Sequence, residues 1–225
     1  MGGIYLLGLL FALIGMLVQN QLRSKIRLYS SLPLSNSMTG KEVAELMLRD
    51  HGISNVKIIS VEGQLTDHYN PQNRTINLSN EIYHGRSIAS TAVASHECGH
   101  AVQHAKSYAM LGLRSAIVPF VQVAGTIMPW ILMAGVLLLS TIPQLLLVAI
   151  IAQFTITLFT VITLPVEFDA SNRALVWLRT KNITTGREQD GAKDALKWAA
   201  MTYVVAALAA VAQLIYLISR YSRRN

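Results

Sequence analysis

Charge is what this sequence has least of. Only 14% of its 225 residues are Asp, Glu, Lys or Arg, and 52% are hydrophobic, against about a quarter charged in an ordinary soluble domain. The shortage is concentrated: from Ser115 to Val166 there is no Asp, Glu, Lys, Arg or His. That pattern excludes a large soluble core and indicates an integral membrane protein in contact with a lipid bilayer. Cysteine is nearly absent too. The single Cys98 excludes an internal disulfide and suits a reducing compartment. A net charge of +7 raises the question of nucleic acid. The basic residues are scattered, however, without interleaved aromatics, and most flank apolar runs, so membrane-surface anchoring accounts for them and no nucleic-acid partner is expected.

The apolar runs set the organisation. Residues 1–22 carry no charge and lack both the basic start and the small-residue cleavage site of a signal peptide, so they read as a transmembrane anchor. Arg23, Lys25 and Arg27 follow at once, which puts this end in the cytoplasm and the N-terminus outside. Residues 115–166 form a transmembrane hairpin of two spans turning near Ser140-Thr141-Ile142-Pro143, with Pro119 and Pro129 kinking the first. A helix over Val166 to Leu178 and a mixed-charge helix over Arg187 to Lys197 occupy a cytoplasmic stretch, 167–197. A last span, 198–219, leads into the basic tail 220–225. Four spans leave that tail outside, against the positive-inside rule. The tail holds only three of the nineteen Lys and Arg, and the majority sets the orientation.

Residues 23–114 have the make-up of a water-exposed α/β domain. Thr39-Gly40-Lys41-Glu42 is a capping box for a helix reaching about His51 and stopped by Gly52. Val56 to Val61 is rich in β-formers. Gly63 to Tyr69 and Arg74 to Leu78 flank the turn signature Asn70-Pro71-Gln72-Asn73, so a short sheet is expected. The fold class is therefore a mainly α multi-pass membrane protein with a small α/β cytoplasmic domain.

The chemistry lies after that sheet. Ser87 to Ala105 is rich in Ala and Ser and reads as one helix capped by Ser87. Within it stands His96-Glu97-Cys98-Gly99-His100. Residues four apart lie about 40° from each other around a helix and rise ~6 Å, so both imidazoles can face one ion while Glu97 reaches a water on it. Zinc held this way brings the pKa of its water to about 7, and a carboxylate can then accept the proton. Two surface histidines and a solvated Glu produce the same string by chance, but this helix is otherwise small and apolar, and buried charge needs compensation that a metal provides. Cys98, about 200° from His96 around the helix, faces away and reads as a packing residue.

A site of two histidines needs a third protein ligand. Glu167 is the first ionisable group after the uncharged run, and two spans return the chain to the face it left. Alone, such a carboxylate would snorkel to water. Beside His96 and His100 it completes a His2Glu site with an open fourth position. His104 is ~12 Å along the axis from His96, too far to share one ion. His51, His68 and His84 lie in the water-exposed part, and His68 with Asp67 reads as cleft or turn.

The string His96-Glu97-Cys98-Gly99-His100-Ala101-Val102-Gln103-His104, followed by Leu164-Pro165-Val166-Glu167-Phe168-Asp169-Ala170-Ser171, resembles the YugP-like bacterial membrane zinc metallopeptidases. Leu65-Thr66-Asp67-His68-Tyr69-Asn70-Pro71 and Gly191-Ala192-Lys193 extend the likeness over almost the whole chain. The resemblance implies a gluzincin-like active-site helix, one zinc ion on His96, His100 and Glu167, and catalysis by Glu97. More distantly, the chain is similar to membrane prenyl-protein proteases. Ser171 stands where those enzymes have an Asp, and at four positions past Glu167 it can still orient a zinc histidine. No histidine follows His104, so the oxyanion group is open among Arg173, Tyr203 and Tyr69, each more simply structural.

The expected activity is zinc-dependent endopeptidase action at the cytoplasmic face of the plasma (inner) membrane, on peptide or membrane-protein substrates. The strand Arg74 to Leu78 is a candidate to receive substrate backbone by strand addition. The alternatives are a membrane metal or haem carrier using the His96, His100 and His104 stripe, and a silent protease-like scaffold in a membrane complex.

Overall fold

The computed structural model describes residues 2–138, 142 and 144–223. It is mainly helical, with seven helices and three strands among the described residues. The helices are α1 (Gly2–Ser30), α2 (Gly40–Asp50), α3 (Asn80–His84), α4 (Ile88–Ala105), α5 (Ala109–Leu138), α6 (Gln144–Thr180) and α7 (Arg187–Ser222). The strands are β1 (Lys57–Val61), β2 (His68–Asn70) and β3 (Thr75–Ser79). Helices α1, α5, α6 and α7 are long and apolar enough to cross a membrane.

These four do not stop where charge begins. Helix α1 continues through Arg23, Lys25 and Arg27, α6 passes through Glu167 to Thr180, and α7 runs unbroken from Arg187. The separate helices expected from Val166 and over Arg187 to Lys197 are thus segments of α6 and α7. The intrahelical ladder is indifferent to side-chain polarity, and no glycine or proline after Pro165 interrupts α6. Most of the hairpin turn expected at Ser140 to Pro143 lies outside the described residues.

The chain forms two compact units. One comprises residues 1–18, 112–165 and 201–225, the other 19–111 and 166–200. In the first, Ile4, Leu146, Ala149 and Leu217 make a small packed cluster. Many large side chains on its helices face outward, such as Phe120 at 68% and Ile151 at 66% exposure.

The second unit holds the larger core, built from Val43, Met47, Ile76, Leu78, Val102 and Leu178 among others. Helix α2 starts on the expected capping box, with Thr39 accepting from Glu42 N while Glu42 accepts from Thr39 N, and beyond its end Gly52 takes a left-handed φ of 68°. The sheet order is β1-β3-β2, with β1 parallel and β2 antiparallel to β3. All five residues of β3 are buried. Both of its edges are taken, so β3, contrary to the expectation for Arg74 to Leu78, cannot receive a substrate strand. The outer strands are β1 and β2, and β2 packs against α4.

Candidate metal centre

Helix α4 begins where Ser87 accepts a hydrogen bond from Ser90 N at 3.1 Å. From Ile88 to Gln103 it is buried almost throughout, because Ala, Ser and Gly let neighbouring elements approach from every side. One close approach is to α6. A Cβ built on Gly99 would lie 2.5 Å from Ala170 O, so a hydrogen is all that fits between these two backbones. This spacer sits between His96 and His100 in sequence. It brings the helix carrying the histidines against the helix carrying Glu167.

The outcome is a cluster of three donors. His96 Nε2 is 3.3 Å and His100 Nε2 3.5 Å from Glu167 Oε2. One ligand atom from each residue lies within 4.8 Å of the others. Glu167 is 3% and His100 8% exposed, and Glu97 is also buried. The second ring nitrogens are occupied: His96 Nδ1 meets Ser171 Oγ at 3.1 Å and His100 Nδ1 meets Gln103 Oε1 at 3.0 Å. Both rings therefore present Nε2 to the carboxylate. Burial disfavours a proton on His100, yet the hydrogen bond and charge of Glu167, helped by Glu97, outweigh it and raise the pKa above 6.5. The cluster calls for positive charge at its centre. Two imidazole nitrogens and a carboxylate oxygen are a donor set that zinc accepts, so the residues present fit the metal.

The chain matches, from residue 4 to residue 222, the family described as "Putative neutral zinc metallopeptidase". It is 40% identical over 197 residues to the "Putative membrane protease YugP" of Bacillus subtilis (strain 168), an alignment covering 88% of this chain and 87% of that protein. The chain belongs to this zinc metallopeptidase family. No solved structure matches it significantly.

Around this cluster the other polar residues have identifiable work. Cys98 is fully buried on the opposite face with Sγ 3.6 Å from Ala44 O, and burial raises its pKa well above the usual thiol range. Asp67 accepts from Ser79 N at 2.7 Å and Ser79 Oγ at 3.1 Å. Burial raises the Asp67 pKa, and the nearby Glu97 charge adds to the rise. Asp67 therefore anchors the β3–α3 junction. His68 Nδ1 lies 2.7 Å from Thr66 O, within its own turn. His51 and His84 are held by Met47 O and the Tyr83 ring.

His104 stands apart from the triad and pairs with Tyr69 Oη through Nδ1 at 2.6 Å. Arg173 is committed to Asp169 at 2.5 Å and stacks over Tyr108. The sequence reading gave no role to Gln103 or Asp169, although Gln103 Nε2 is 2.8 Å from both Val166 O and Asp169 Oδ2. The available signal was spacing: Gln103 is one turn past His100, and Asp169 lies two residues past Glu167.

Proposed function

We propose that this chain is a membrane-embedded, zinc-dependent endopeptidase with a gluzincin-like active-site helix, α4. The observation that carries the reading is the meeting of His96, His100 and Glu167 within 4.8 Å in a chain of this family. In this reading the three residues hold the zinc and Glu97 is the general base. Bound zinc supplies a water of lowered pKa and a Lewis acid for a peptide carbonyl. Glu97 accepts the proton of the attacking water and returns it to the leaving amine nitrogen as the C–N bond breaks. Burial of Glu97 and Glu167 keeps bulk water from screening these charges. A peptide substrate extends along the outer edge of β2, the edge strand that packs on α4.

The four apolar helices and the name of the Bacillus subtilis relative support a membrane location. The distribution of Lys and Arg favours an active site at the cytoplasmic face of the plasma membrane, with membrane proteins or segments leaving the bilayer as substrates. Purified wild type and Glu97→Gln, each assayed for bound zinc and for cleavage of an unfolded protein, test the reading. It expects zinc in both and proteolysis in the wild type alone, with a loss of about 10²–10⁴-fold in the variant. Zinc without cleavage in either protein would indicate a silent scaffold. Absence of zinc from both would remove the site.

A further inference from the structure

We propose that Gln103 is a positioning residue that locks two of the three zinc ligands together through one side-chain amide. The inference rests on the zinc reading of His96, His100 and Glu167 and deepens it. Gln103 is fully buried, so every polar atom of its amide needs a partner inside the protein. Both Nε2 hydrogens have one: Val166 O at 2.8 Å and Asp169 Oδ2 at 2.8 Å. Each of these partners is an acceptor and nothing else. A flipped amide would set its oxygen against a carbonyl and a carboxylate, so only one orientation is tenable. That orientation aims Oε1 at His100 Nδ1, 3.0 Å away. An amide oxygen only accepts, so the hydrogen of the neutral His100 ring sits on Nδ1 and Nε2 keeps its lone pair. The ring enters the site already in its metal-binding tautomer.

The same amide reaches the other ligand helix. Val166 precedes Glu167, so the bond to Val166 O fixes the α6 backbone one residue from the carboxylate. Asp169, itself held by Arg173 Nε at 2.5 Å, supplies the charge that polarises the amide. His96 is supported differently. Its Nδ1 partner is Ser171 Oγ at 3.1 Å, a hydroxyl that can donate or accept and therefore selects no tautomer. The two histidines are bound by unequal supports, and the Gln103 amide is the stronger.

Zinc affinity of the full-length protein, measured by competition with a chromophoric chelator, tests this. The variants are Gln103→Met, which keeps the volume but not the hydrogen bonds, Gln103→Glu, which keeps an acceptor but neither donor, and Ser171→Ala. Both Gln103 variants are expected to bind zinc about 10- to 100-fold more weakly than wild type, and Ser171→Ala only a few-fold more weakly. The visible spectrum of the Co2+ form should shift in Gln103→Met, a readout that loss of packing alone does not move.

Wild-type zinc binding together with Gln103→Met within twofold of it overturns the proposal and leaves the zinc site standing. So does undiminished affinity in Gln103→Glu, or a larger effect from Ser171→Ala. If Gln103→Met does not fold, Asp169→Asn, at a side chain 26% exposed, takes its place. A several-fold loss supports the proposal, and unchanged affinity overturns it. A wild type that binds no zinc overturns the zinc reading and the proposal together.

Discussion

The two compact units of this protein solve the burial problem in opposite ways. In the unit holding α4, helices touch through small residues, and polar side chains drawn inside such as Gln103, Asp67 and Ser171 are hydrogen-bonded. In the unit made from residues 1–18, 112–165 and 201–225, large apolar side chains point outward. Leu6 at 70%, Leu17 at 69% and Trp130 at 66% exposure are examples, and there is no Asp or Glu at all. Such outward faces are unfavourable in water and ordinary in lipid. Glycine marks the contrast most sharply. At Gly99 an added Cβ meets Ala170 O at 2.5 Å, whereas at Gly125 nothing lies within 4 Å. The difference teaches that one unit is held by close approach and satisfied polarity, the other by length, apolarity and its solvent.

One substitution made in both units is the strongest way to break this comparison. Gly99→Ala forces α4 and α6 apart and should destabilise the protein by about 1–3 kcal/mol, with loss of bound zinc. Gly125→Ala should be neutral or stabilising by up to about 1 kcal/mol from helix propensity. Thermal melts in detergent with zinc analysis check the pair, and equal effects would erase the distinction. Acid is the next lever, because only one unit has carboxylates. The backbone N–H of Thr39 holds the Glu42 pKa below 4.5, and the Trp177 indole, then Lys181, hold the Asp50 pKa below 3.8. Folded values below the unfolded ones mean stability that is complete above pH ~4.5 and is lost as pH falls through the depressed values. Asp67, whose pKa is raised, works weakly in the opposite direction. The α4 unit should loosen below about pH 4 while the helicity of the apolar unit persists, as hydrogen exchange at the two sets of amides can follow. The smallest expected signal is optical. Brominated lipid should quench a variant retaining only Trp130, at 66% exposure, and spare one retaining only Trp177, at 6%.

Much of this was legible beforehand where one local rule decides the outcome. The Ser87 cap, the Thr39–Glu42 box and the spacing of His96 and His100 each involve residues within four positions of one another. The apolar runs located four helices because a bilayer imposes a length. Glu167 could be singled out only because the charge desert before it left one carboxylate at its edge. Legibility ended where partners are distant and carry no pattern. Nothing in the composition of Arg74 to Leu78 says that both its neighbours are filled, since sheet order is fixed by pairing across the fold. Polarity suggests helix boundaries at Val166 and Lys197, but backbone hydrogen bonding carries α6 and α7 through both. Gln103 and Asp169 were invisible as a pair because 66 positions separate them, although each stands near a ligand that had been identified.

The central claim is that a carboxylate supplied from beyond the uncharged run completes a site begun by two histidines on α4. Zinc content of purified full-length wild type and Glu167→Ala, with folding of each verified by thermal melt, tests it most directly. The expected result is one zinc per wild-type chain and almost none in the variant at an equal free-zinc concentration. Equal zinc in both proteins would contradict it.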